Sequence, residues 1–290
     1  MESQACIHVW GGRLTFPYTL GAMEAPGLQS VRAKIDRAKR HFDAISSALR
    51  VVLGTEPEAE HVLLNKDYER QQLVVVIPRV APIDPTLPLM VGDCVHNLRS
   101  ALDHLVYRLA IKNGASPECA EKTFFPIYLT KDDFDRRVKK LVKPFISDAA
   151  LAEIENSQPY TAYDVPDTAD IWVLHQLDII DKHRLLIVAG QRCAVTEFTV
   201  TVPTGERFHQ VIAEPKWKPM KDGTEIIRFD LFHAISAPGK VRVQIDMVKS
   251  VQFADTGLAC DGVLVQDALT QCIGIVSATV RDFGKEFFGE

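Results

Sequence analysis

The sequence has no long hydrophobic run. No stretch approaches the ~18 apolar residues that a membrane-spanning helix needs, so no membrane partner is expected. It has no C-x-x-C pair either. Its six cysteines, at positions 6, 94, 119, 193, 260 and 272, are too scattered for a disulfide framework or a thiolate metal clamp, and they read as reduced thiols of a cytoplasmic protein. A basic leader followed by an apolar stretch is missing, because Gly11, Gly12 and Arg13 interrupt the only candidate, so secretion is not expected. An excess of positive charge is missing too: 33 Lys and Arg against 38 Asp and Glu give a net charge of −5, which excludes a global field that draws in polyanions. Internal repeats and low-complexity segments are not seen. What is present is the composition of a globular chain, 47% hydrophobic and 24% charged, whose 290 residues suffice for a full core.

Positive charge is concentrated locally, in Arg32, Lys34, Arg37, Lys39 and Arg40 and again in Arg136, Arg137, Lys139, Lys140 and Lys143. Such runs are usually solvated helix faces, and they are also the natural contacts if RNA is a partner.

Hydrophobic periodicity predicts an α+β protein: a helical bundle with an antiparallel β-meander packed on one side. Residues 1–26 read as an N-terminal extension. Residues 27–192 read as the bundle, carrying a short β-hairpin near 59–78. Residues 193–255 read as the meander and residues 256–290 as a helix returning to the bundle, all within one compact domain. The first helix, near 27–53, has Val31, Ile35, Ala38, Phe42, Ile45, Leu49 and Val52 at alternating intervals of four and three. That stripe packs inside the chain or forms the seam of a homodimer. Prolines 78, 82, 85 and 88 interrupt regular structure before the next helix, near 87–112. The third, near 169–189, has Asp167 or Thr168 as N-cap candidates and shows no wide polar arc, the mark of a helix surrounded by protein. From 194 to 252 the period becomes two, as in Phe198, Val200 and Val202, with a Pro238-Gly239 turn before the last strand. A final helix spans about 261–287.

The helix near 87–112 is the most informative. At about 100° per residue, Met90, Val91, Cys94, Leu98, Ala101, Leu102, Leu105 and Leu109 share one arc. Asp93, His96, Asn97, Ser100, Asp103, His104 and Tyr107 share the other. The helix near 169–189 carries His175, Asp178, Asp181, Lys182, His183 and Arg184 among its apolar residues. Buried charges need partners, and that polar arc is the richest supply, with Asp103 or Asp93 expected to pair with Arg184 or Lys182. Clustering of ionisable groups on two facing helices marks a candidate site. Metal-binding bundles use similar spacings, which makes His96, Asp103, His175 and Asp178 an alternative metal set, although no H-E-x-x-H signature is present. No cofactor is otherwise indicated.

Within NLRSALDH, Arg99 precedes His104 by five positions. This resembles the R-x4-6-H motif of HEPN-type ribonucleases, helical proteins that cleave RNA without metal and leave a cyclic phosphate. The resemblance implies His104 as general acid–base and Arg99 as phosphate clamp, with Asp103 beside them. Ser100 follows Arg99 where such proteins often have a more strongly polar residue. Five positions also set Arg99 and His104 about 140° apart on one helix, so they converge only across a kink or a dimer interface. A longer stretch, GDCVHNLRSALDHLVYRLA followed by FFPIY and LHQLDIIDKHRLL, resembles a family of bacterial proteins frequent in actinobacteria, with a G-D-x-x-H-N-L-R-x-A-L-D-H core and a later I-D-K-H-R. That resemblance implies no activity. It implies that these helices and the FFPIY segment belong together. A non-catalytic binding or assembly protein, its polar helix network purely structural, is the alternative to an enzyme.

Overall fold

The computed structural model describes residues 27–53, 62–65, 72–76, 80, 82–184, 188–202, 204–230, 242–254 and 256–290. The expected 1–26 extension and the Pro238-Gly239 turn lie outside these. The long helices are α1 (Gln29–Leu53), α2 (Thr86–Lys112), α7 (Asp170–His183) and α8 (Val265–Phe283). Shorter ones follow α2 in the order α3 (Pro117–Ala120), α4 (Lys131–Leu141), α5 (Asp148–Asn156) and α6 (Pro159–Ala162). Seven strands complete the described fold: β1 (Val62–Asn65), β2 (Gln72–Val76), β3 (Val188–Thr201), β4 (Arg207–Val211), β5 (Lys218–Pro219), β6 (Glu225–Asp230) and β7 (Arg242–Phe253). The protein is α+β, with every described strand pair antiparallel.

The apolar stripe of α1 is spent inside the chain. Val31, Ile35, Ala38, Ile45 and Leu49 are all buried in one core with Leu98, Leu102 and Leu105 of α2 and Leu269 and Val276 of α8. This core leaves Arg32, Arg37, Lys39 and Arg40 exposed on the far side of α1. The start of α1 is fixed from a distance: the Glu290 carboxylate accepts the Leu28 amide (3.3 Å) and pairs with Arg32 Nη2 (2.6 Å). An anion there also complements the helix dipole.

The strands are antiparallel, as the period-two pattern requires, but their order is not that of a meander. β3 is 14 residues long and pairs with β4 and β5 on one side and with β7 on the other. β6 leaves that sheet and adds to the β1–β2 hairpin, giving a second sheet in the order β1-β2-β6. Both sheets contribute to a second core, with Val75, Val195, Phe198, Val200, Ile226, Ile227 and Ile245. Val251 and Phe253, at the end of β7, belong instead to the helical core and so tie the sheets to the bundle.

α7 is shorter than its apolar pattern suggests. A 3-10 turn at Pro166–Thr168 occupies the expected N-cap positions, and Ala169 is the N-cap. The helix ends at His183 because Val188 already opens β3. Leu185 and Leu186 lie outside the described residues.

Candidate functional site

Every apolar residue assigned to one arc of α2 is buried except Met90, which is half-buried; every polar residue assigned to the other arc is half-buried or exposed. The polar arc lies between two packed helices. On one edge Lys34 and His41 of α1 act on His104 and Asp93. On the other edge α7 approaches so closely that a Cβ on Gly92 would stand 2.3 Å from Asp181 Oδ1. A larger residue there would have to displace the Asp181 carboxylate, whereas helix propensity alone favours almost any other residue.

Arg99 falls at the boundary of the two arcs and turns inward. It is 6% exposed; Nη1 donates to Asp103 Oδ1 (2.8 Å) and Nη2 to the Phe125 carbonyl (2.8 Å). The Phe125 amide in turn donates to Asp103 Oδ1 (2.9 Å). The FFPIY segment is thereby bonded through its backbone to α2. On its other flank stands Gln158, 1% exposed, whose Oε1 accepts the Tyr128 amide (3.0 Å) while Nε2 donates to the Pro126 carbonyl (2.8 Å) and the Ile154 carbonyl (3.0 Å). Arg99 and Asp103, read from the motif as catalytic, hold a strand of irregular backbone in place. They satisfy buried peptide groups that water cannot reach.

Asp178 of α7 is 2% exposed and is answered by Lys182 Nζ (2.5 Å) and by His96 Nδ1 (3.2 Å). Among the described residues no pair links Asp103 or Asp93 to α7. Spacing of i,i+4 lets Arg99 reach Asp103 and Lys182 reach Asp178 within their own helices, and His96 is the side chain that crosses. Asp93 is exposed, with Oδ2 4.0 Å from His41 Nδ1. Asn97 donates to the Asp93 carbonyl (2.7 Å), and Ser100 lies half-buried beside it. Asp181 is half-buried, and burial, with Asp178 and Asp93 nearby, raises its carboxyl above the usual range. His183 and Arg184 are exposed at the end of α7. His96, Asp103, His175 and Asp178 are not drawn to one point, and among the described residues no three His, Cys, Asp or Glu side chains gather for a metal.

His175 packs against Trp172, ring centroids 5.8 Å apart, and its Nδ1 is buried with no hydrogen-bond partner among the described residues. Burial, aided by Arg99 and Lys182 and opposed by Asp178, pushes the imidazole from 6.5 down to about 4. Between those values the unfolded chain takes up a proton that the folded state refuses, so stability falls as pH drops from 6.5 toward 4. Asp181 and Asp170, with raised values, titrate in the opposite sense. His175→Phe is expected to remove an acid-side loss on the order of 2 kcal/mol, allowing for partial exposure, when urea denaturation at neutral pH is compared with that near pH 4.5.

His104 differs from all of these. It is half-buried and makes no hydrogen bond or ion pair among the described residues. It lines a pocket of about 470 Å³ with Ser30 of α1, Asp103, Tyr107 and Arg108 of α2, and Ala120, Glu121 and Thr123 around the end of α3. Burial, with the charge of Lys34, lowers its pKa despite Asp103, so the ring is neutral at physiological pH. A neutral imidazole in such a pocket can accept a proton or a hydrogen bond from a bound molecule. Ser30 and Gln158 were not legible as site residues, and Lys34 was legible only as one member of the basic run on α1. Comparison with protein-family models, with curated proteins and with solved structures returns no match.

Proposed function

We propose that this protein binds a small polar ligand in the pocket formed by the start of α1, the middle of α2 and the end of α3. His104 acts as proton acceptor, and an anionic group of the ligand lies toward Lys34. The observation that carries this reading is the His104 ring itself, neutral and without a hydrogen-bond or ion-pair partner among the described residues, in a pocket of ligand size. Arg99 and Asp103 are positioning residues in this account. Phenyl phosphate is a suitable probe by calorimetry. Saturable binding that is lost in His104→Ala and weakened about tenfold in Lys34→Met supports the reading; no binding by wild type, or binding unchanged in both variants, contradicts it.

A metal-independent ribonuclease is the second reading, and Lys34 favours it. Arg99 is committed to Asp103 and Phe125, so Lys34, whose charge acts on His104, is a cation that could meet a phosphodiester. Under this reading wild type cleaves RNA in EDTA, and His104→Ala and Lys34→Met lose at least tenfold in rate. No cleavage by wild type ends it. We infer a reducing, cytoplasmic setting, which the free thiols of Cys94, Cys119, Cys193, Cys260 and Cys272 support. No described helix is long and apolar enough to cross a membrane.

A further inference from the structure

Away from the His104 pocket, the two sheets enclose a second cavity, of about 240 Å³, within the smaller core. Its walls are Val195 of β3, Ile226 and Ile227 of β6, and Ile212 after β4. Its mouth is charged. Lys216 and Lys218 stand there with a single carboxylate, Glu214, leaving an excess of positive charge. Cys193, at the inner wall, pairs across the sheet with Lys218 on one side and Lys249 on the other, so both lysines flank it on the same face. Lys218 is spent on the Ile226 carbonyl (3.0 Å), which joins β5 to β6. Lys216 is exposed and makes no hydrogen bond or ion pair among the described residues.

An apolar chamber with an uncommitted ammonium at its mouth suits a molecule with a hydrocarbon body and one negative end. The volume lies below that of sites for drug-sized ligands and suits about ten non-hydrogen atoms. We propose that this cavity binds a small apolar carboxylate, its hydrocarbon part among Val195, Ile212, Ile226 and Ile227 and its carboxylate at Lys216. Burial lowers the pKa of Lys249 and raises that of Cys193, which marks this inner wall as poorly solvated.

The test is calorimetric titration of the full chain with octanoate, octanol and octylammonium. Octanoate is expected to bind at one site per chain, with octanol at least tenfold weaker and octylammonium not binding. Lys216→Met, an exposed change that leaves the fold intact, is expected to reduce octanoate to the level of octanol. Ile212→Trp, which fills the chamber, is expected to abolish octanoate binding, with circular dichroism and the melting curve used to check folding. Failure of octanoate to saturate at one site, equal binding of octanol, or an unchanged affinity in Lys216→Met overturns the proposal. Those outcomes do not depend on whether Ile212→Trp folds.

Discussion

Asp103→Ala is expected to destabilise the protein by about 3 kcal/mol, lowering the melting temperature by roughly 6–10 °C. Removing this carboxylate has two consequences. The Arg99 guanidinium, 6% exposed, keeps the Phe125 carbonyl but loses its only charge partner among the described residues. The Phe125 amide, on a residue 0% exposed, loses its acceptor. Breaking a buried pair from one side costs ~3–5 kcal/mol, and the lower end applies because Asp103 is itself partly exposed, so water can enter. Asp103→Asn keeps an oxygen for both donors and is expected to cost only about 1 kcal/mol. Urea denaturation of the three proteins measures the difference. A value for Asp103→Ala within about 0.5 kcal/mol of wild type would mean that the network does not hold the FFPIY segment.

Gln158→Leu should be comparably severe, at about 3 kcal/mol. Leucine is similar in size to glutamine, so the loss is chiefly one of hydrogen bonding. The Tyr128 amide and the Pro126 carbonyl are left inside the protein without the partners they now have, and each such group costs ~1–3 kcal/mol. Gln158→Glu separates the two halves of the clamp: its carboxylate still accepts from Tyr128 but faces the Pro126 and Ile154 carbonyls as an acceptor. It is expected to fall at or below Gln158→Leu in stability. Both variants should leave phenyl phosphate binding at His104 intact at temperatures where they are folded.

Much of α2 was legible because helical periodicity assigns each residue to a face. Leu98, Leu102 and Leu105 went in, and Asp93, His96 and Asn97 stayed out, as the wheel requires. The direction of Arg99 was not legible. It stands between the arcs, and only the position of Phe125, 26 residues away, decides that its guanidinium is enclosed. Gln158 is hidden for the same reason, since it acts on backbone groups 30 and 32 residues distant. The sheets show a parallel limit. Alternation in β6 says which face is buried, but not that Ile227 faces Val75 of the hairpin and not a residue of β3. Strand neighbours are chosen by tertiary packing, to which a local pattern is blind.

The motif reading and the structure part company over one pair. Arg99 and His104 share a helix and a spacing, yet the first is bonded on both sides and the second is open to a pocket. The division of labour follows from their places on the wheel, at opposite borders of the polar arc. Arg99 borders the FFPIY segment and His104 borders α1.

The central claim is that His104 is the group presented to a ligand, and NMR of its imidazole tests it most directly. Its ring Cε1–H resonance is predicted to titrate below 6.5 in wild type and to shift saturably on addition of phenyl phosphate, while that of His175 does not respond to the ligand. Titration at or above 6.5 together with a resonance indifferent to phenyl phosphate would contradict it.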